Sequence, residues 1–163
     1  YINAYGQRYW ERDMLLSKFP LVIPLAIIDP RIFDLAFSFW NYPGHNILTG
    51  YRRLEDIVRK RCNIDEHGVK LFQKAFQNPD SVLFWLGLNR SESVGRATLF
   101  TALYSGYRNP RAHKETEEGP KNQLIEFMTL NHLFVLESAS ILRQKESVSI
   151  DSTINQSETK IKQ

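Results

Sequence analysis

Tyr107-Arg108-Asn109-Pro110-Arg111-Ala112-His113 is the stretch on which the reading of this chain turns. A helical pattern runs into it from about Ser93 to Tyr107 and delivers Arg108. Proline disfavours helical geometry at the residue before it, so this helix is predicted to end near Asn109. Asn109 followed by Pro110 also reads as an N-cap with proline at the first helical position. A short turn from Arg111 to Lys114 then carries His113. A fixed cation and a base that titrates near neutrality are thereby expected at one corner.

Working outward, Ser91 or Ser93 can cap the helix that leads to the corner, with Glu92 favourable near its N-terminus. Val94, Ala97, Leu99, Phe100, Ala102, Leu103 and Tyr104 supply its apolar positions. Beyond the corner, Lys114 to Gly119 reads as an exposed acidic loop. Pro120 starts a last helix, apolar from Leu124 onward and expected to reach Leu142. Upstream, Asp29-Pro30 is a helix start, and that helix should run to about Trp40. Asn41 to Gly44 is a turn. His45 to Cys62 is the next long helix, with Ile47, Leu48, Tyr51, Leu54, Ile57 and Val58 as its apolar stripe. Gly68 to Phe76 is a short helix, and residues 78–92 read poorly. No strand signal and no internal repeat stands out. The fold class expected is all-α, a bundle of four to six helices with a disordered polar C-terminal tail. Residues 1–27 form a helix (Gln7 to Lys18) and a loop that pack on the bundle. Residues 28–143 are the helical domain, and residues 144–163 are too polar to bury surface and order themselves.

One face of the His45 to Cys62 helix carries Arg52, Arg53, Arg59, Lys60 and Arg61 against only Glu55 and Asp56. That face reads either as solvated helix surface or as a set of phosphate contacts, to which Arg111 would add. A length of 163 residues with 42% hydrophobic and 24% charged side chains fits one globular domain with a real core. A net charge of +3 is compatible with an RNA partner without requiring one. Cys62 is the single cysteine, which excludes an internal disulfide and points to a reducing, cytoplasmic compartment. No run approaches the ~20 apolar residues that cross a bilayer, so no membrane role is expected. His45, His67, His113 and His132 lack ligand spacing, and neither a metal nor a cofactor is expected. The first residue is Tyr rather than Met, hence the expectation of a fragment of a longer protein.

Arg108-Asn109, three residues and His113 match the R-x4–6-H signature, and the chain resembles the HEPN superfamily of all-α domains. Ile28-Asp29-Pro30-Arg31-Ile32, Leu54-Glu55-Asp56-Ile57-Val58-Arg59, Gly68-Val69-Lys70-Leu71-Phe72 and Ala75-Phe76 precede that motif in the order of Ymh-type domains, a branch of the superfamily. The resemblance covers roughly residues 28 to 142. Many such domains are RNases, and the residue chemistry is compatible with that. His113 can take the proton of an RNA 2′-hydroxyl. Arg108 can bind the non-bridging phosphate oxygens. Asn109 can orient His113 or the substrate. The resemblance implies a homodimer in which two such motifs face each other, so that a second His acts as the general acid. It also aligns Glu55 with an acidic position of the Ymh-type pattern. Glu55 could orient Arg108, or be an i,i+4 partner of Arg59.

The expected function is a metal-independent endoribonuclease that leaves 2′,3′-cyclic phosphates. The resemblance implies a toxin or abortive-infection effector in prokaryotic antiviral defence or a toxin–antitoxin system, with an antitoxin or an upstream sensor domain as possible partner. Lys114 and Glu115 follow His113, so control through a modified Tyr two residues after the His is not expected. Two alternatives stand beside this reading. One is a non-catalytic module that dimerises or docks on a partner. The other is an RNA-binding module using the Arg52 to Arg61 face. On the first of these, Arg108 and His113 are solvent-facing and apart; without a catalytic role, Arg108 can bond free carbonyls at a helix end and His113 can be a surface residue.

Overall fold

Asp29 shows how the chain starts a helix. Its carboxylate accepts the backbone N–H of Arg31 at 3.0 Å, and Pro30 occupies the first position of the turn Pro30–Ile32. The computed structural model describes residues 21–113 and 119–143. The helix expected at Gln7 to Lys18, most of the acidic loop and the polar tail lie outside the described residues.

After the 3-10 turn Pro30–Ile32 comes helix α1, Phe33–Phe37, and then a 3-10 turn Phe39–Asn41. The single helix expected from Asp29 to Trp40 is therefore three short pieces. Helix α2, Pro43–Cys62, is the longest among the described residues. It ends on Asn63 in the left-handed conformation, φ 51° and ψ 48°, where the short amide side chain is tolerated. Helix α3, Gly68–Phe72, runs on as a π turn, Gln73–Gln77. Helix α4, Arg90–Leu103, starts with a capping box: Asn89 accepts from the Glu92 N–H, and Glu92 accepts from the Asn89 N–H. The cap is Asn89 rather than a serine. Helix α6, Pro120–Ser138, closes the described chain together with one small sheet.

That sheet is a departure from the sequence, in which no strand signal stands out. Strand β1, Leu83–Phe84, pairs antiparallel with strand β2, Ile141–Leu142, in the register Leu83 to Leu142 and Phe84 to Ile141. The last helix therefore stops at Ser138 and does not reach Leu142. Two residues per strand are too few for an alternating pattern to be visible. The fold class is nonetheless an all-α bundle.

The second correction concerns the corner itself. Asn109 is helical, with φ −67° and ψ −48°, and its N–H bonds to the Tyr104 carbonyl five residues back. The helix does not break before Pro110. It widens into a π turn, Tyr104–Arg108, and continues as α5, Asn109–His113. Pro110 has no N–H to give, and its ring would clash with the carbonyl four residues back in a regular helix. The wide turn just ahead of it relieves both demands.

The core lies where α6 packs against α2 and α4 and where α3 bridges these two. Tyr51, Phe39, Phe72, Phe100, Tyr104, Phe127 and Phe134 are fully buried there. Phe72 and Phe100 stack at 5.4 Å, Phe76 and Phe100 at 4.6 Å, and Phe39 meets Phe127 at 4.8 Å. Each such side chain contributes about 2 kcal/mol by leaving water. At Gly50, α2 and α6 touch closely: a Cβ there would stand 2.6 Å from Leu130 Cδ2. At one end of the bundle, Arg31 bonds both oxygens of Asp29, the Phe134 carbonyl and Glu137. Arg61 joins Glu137 at 2.6 Å and the Ser140 backbone. These pairs tie α2 and the Pro30–Ile32 turn to the end of α6, and the hydrogen bond from Arg31 holds the Asp29 carboxyl below its usual range. No described helix is long and apolar enough to cross a membrane.

Candidate functional site

Arg108 and Arg111 are one helical turn apart, so they leave the rod on the same side. Each meets a buried carboxylate from a different helix. Glu126 of α6 takes Arg111 at both ends: Nε donates to Oε1 at 3.1 Å, and Nη2 bonds Oε2. The two side chains are 6% and 1% exposed. Arg111 is therefore not a free surface cation available to RNA, as the sequence reading had it. It fastens α5 to the core, because a charge at that depth needs a matching charge beside it.

Glu55 of α2 faces Arg108. Its Oε1 lies 3.2 Å from Arg108 Nε, with the side chains 6% and 24% exposed. The pair is close enough to be ionic yet is not aligned as a hydrogen bond, and neither atom has a hydrogen-bond partner. Arg59, the other partner considered for Glu55, bonds Asp56 instead. The Asn109 amide oxygen accepts from Arg108 Nη1 at 3.4 Å. Asn109 thus attends to the arginine.

Two tyrosines line the same corner. Tyr51 precedes Glu55 by one turn of α2, so both project from one face. Its hydroxyl is buried without a hydrogen-bond partner. Burial above all, and then the Glu126 carboxylate, push its pKa well up. The Tyr104 hydroxyl donates to the Tyr51 carbonyl at 2.6 Å, and burial with the nearby Glu55 charge raises its pKa far above the ordinary value. Both phenols stay neutral and can only act as hydrogen-bond groups. Among the described residues, the buried side-chain atoms lacking a hydrogen bond are Tyr51 Oη, Glu55 Oε1 and Arg108 Nε. All three belong to this corner.

His113 ends α5, with its backbone five residues from Arg108 on the same rod, about 7.5 Å along the axis. The corner thus lies on one continuous helix rather than across a break.

The basic face of α2 is largely engaged within the molecule. Arg53 bonds both oxygens of Asp34, at 2.7 and 3.0 Å, and lowers that carboxyl's pKa. Arg59 is paired with Asp56, and Arg61 with Glu137. Arg52 and Lys60 are exposed and make no ion pair among the described residues. Of the candidate RNA contacts, Arg52 and Lys60 keep the solvent-facing disposition that phosphate binding requires. Among the described residues no group of three or more His, Cys, Asp or Glu side chains could hold a metal ion. Glu126 escaped the sequence reading. The signal for it was there: a lone carboxylate between Ile125 and Phe127, inside the apolar run of α6. Glu137 and Asn131 sit in that run in the same way and are also buried.

No curated protein and no solved structure matches the chain. One family model does, described as "Protein of unknown function (Hypoth_ymh)". It matches residues 29–136, from the Asp29 cap to Leu136 near the end of α6, about two thirds of the sequence. The stretch contains the Asp29–Arg31 turn, Glu55, the Arg108 to His113 rod and Glu126. The chain belongs to the Hypoth_Ymh family.

Proposed function

We propose that this protein is a metal-independent endoribonuclease of the HEPN type. The observation that carries the reading is the pairing of half-buried Arg108 with buried Glu55, a cation held in place whose hydrogen-bonding capacity is only partly used. Buried polar atoms without partners are uncommon, and a site that awaits a ligand is one reason for them. A π turn leading into a site is a second such sign.

On this reading Glu55 holds the Nε side of the guanidinium and Asn109 holds Nη1. Nη2 then remains for a non-bridging phosphate oxygen, whose charge grows in the transition state. His113 removes the 2′-hydroxyl proton, the hydroxyl oxygen attacks phosphorus, and the 5′-oxygen leaves. The leaving oxygen needs a proton. The partner's His113, in its protonated form, supplies it in a two-fold dimer with the motifs opposed. Arg111 and Glu126 keep the rod seated. Toxin or abortive-infection activity in prokaryotic defence is the biological role that fits such an enzyme, under an antitoxin or a sensor domain.

The test is cleavage of a mixed RNA pool in EDTA by wild type, Arg108→Ala and His113→Ala, with the ends identified. Cyclic phosphates and 5′-hydroxyls from wild type are expected. Loss of the arginine should cost about 10²–10³ in rate and loss of the histidine about 10²–10⁴. A folded, dimeric wild type that leaves RNA intact would instead favour a binding module.

A further inference from the structure

Aromatic contacts set α3 and its π turn against α4. Phe72 meets Tyr104 at 4.3 Å and Phe100 at 5.4 Å, and Phe76 meets Phe100 at 4.6 Å. Residue numbers rise along one segment as they fall along the other, so the two run antiparallel. One turn beyond the Phe72–Tyr104 contact, Gly68 comes opposite Arg108, and α3 touches the π turn Tyr104–Arg108. Facing helices pack about 8–10 Å apart. Gly68 has φ 55°, a conformation that suits glycine, and a Cβ on it would meet nothing within 4 Å. The backbone across from Arg108 is therefore a bare ledge.

His67 stands at the edge of that ledge. It is exposed, and its side chain makes no cap bond to α3. It meets α2 instead: Arg59 Nη1 lies 3.5 Å from its Nδ1. Arg59 is one turn beyond Glu55, and Glu55 holds Arg108. Helix α2, helix α3 and the π turn touch one another pairwise. His67, Arg59, Glu55 and Arg108 thus come to one corner from three elements. The sequence hides this, because His67 and Arg108 are far apart in the chain.

An arginine donates and cannot accept, so its approach to Nδ1 places the proton of the neutral ring on Nε2. His67 then offers one N–H donor on the side of the ring away from Arg59. The nearby carboxylates Asp56 and Glu66 are already matched, by Arg59 and by Lys74. What this donor fits is a second anion close to the one at Arg108, and a nucleic-acid strand carries such anions in a row. Neutral donors as well as cations hold strand phosphates, and these contacts fix the register of the strand. We propose that His67 binds the substrate: its Nε2–H donates to an oxygen of the RNA phosphate next to the one that Arg108 holds. The assignment rests on RNA being the substrate of this corner. His67 takes no part in proton transfer; it sets which phosphate lies at Arg108.

The experiment titrates the full chain with a fluorescent 2′-O-methyl RNA decamer, in which the attacking hydroxyl is blocked, so that binding is read apart from cleavage. Wild type is compared with His67→Ala, His67→Gln and His67→Phe. Gln puts an amide N–H where Nε2–H was, and Phe keeps a ring without a donor. His67 is exposed, so these substitutions leave the fold intact. His67→Ala is expected to weaken binding by about tenfold, the loss of one hydrogen bond to a charged group, with Gln within about twofold of wild type and Phe no better than Ala. On cleavable RNA, His67→Ala should raise KM by about the same tenfold and leave kcat unchanged. The assignment is overturned if Ala binds as wild type does, or if Phe restores binding and Gln does not. It is equally overturned if kcat falls in Ala and Gln alike, which would make the ring a proton carrier, or if wild type does not bind the decamer. A wild type that binds the decamer yet cuts no RNA overturns the ribonuclease reading alone, and the affinities of the variants still decide the role of His67.

Discussion

Taking the carboxylate from Glu126 would remove the group that holds Arg111 at both ends inside the protein. Glu126→Ala is expected to cost roughly 3 kcal/mol, because breaking a buried pair strands its partner. Replacing both members, Arg111→Met with Glu126→Leu, should recover most of that loss in a denaturant melt. A double variant no better than the single would mean that Arg111 is anchored chiefly elsewhere. Asp29 allows a test in pH. Arg31 holds its carboxyl below the usual value near ~3.9. The unfolded chain therefore takes up that proton first. The stabilisation is complete above about pH 4 and fades as pH falls through the lower, folded value. Asp29→Asn should melt lower than wild type at pH 6, and the gap should narrow toward pH 3.

At the scale of elements, Gly50 decides how closely α2 and α6 approach. Alanine would gain about 1 kcal/mol of helix propensity there. It would also push a methyl group to 2.6 Å from the Cδ2 of Leu130, which is fully buried and cannot swing away. Overpacking costs about 1–3 kcal/mol, so Gly50→Ala should be net destabilising by about 1 kcal/mol. Adding Leu130→Val should make the alanine much less harmful, and a double-mutant cycle by thermal melting would read that coupling. Most helices were legible because their apolar residues recur at helical spacing and Pro30 and Pro120 mark two of their starts; Pro43, expected in a turn, is instead the first residue of α2. The corner was misread because Asn-Pro carries two meanings. At Asn78-Pro79 a π turn ends in extended backbone, with ψ 154° at Asn78. At Asn109-Pro110 a π turn of the same length leads on into helix. The dipeptide is the same in both places, and tertiary anchoring of Arg111 by Glu126 accompanies the second outcome. Arg108, Asn109 and Glu55 could be singled out from motif and order. That Glu55 faces Arg108 rather than Arg59 depends on how α2 packs against the π turn Tyr104–Arg108, which no local pattern encodes.

Across the whole molecule, the C-terminal end of the described chain is joined to its middle by charge and by the small sheet. Arg61 reaches Ser140, and Arg143 reaches Ser81 and Val82. Ending the chain at Ala139 would remove β2 and these bonds together. A loss of at least about 2 kcal/mol is expected, since several hydrogen bonds to charged groups go at once. It would be seen as a fall in Tm of some 5 °C. An unchanged Tm would mean that the ribbon decorates the bundle without supporting it.

Cys62, at the last turn of α2, is nearly inaccessible, and burial pushes its thiol up to about 11. At pH 7 only a fraction on the order of 10⁻⁴ is thiolate. A thiol reagent would therefore register chiefly those moments when the end of α2 lets go of the Arg61–Glu137 junction. Its labelling rate, followed against denaturant, becomes a stopwatch for partial unfolding of this one joint, read without any engineered probe.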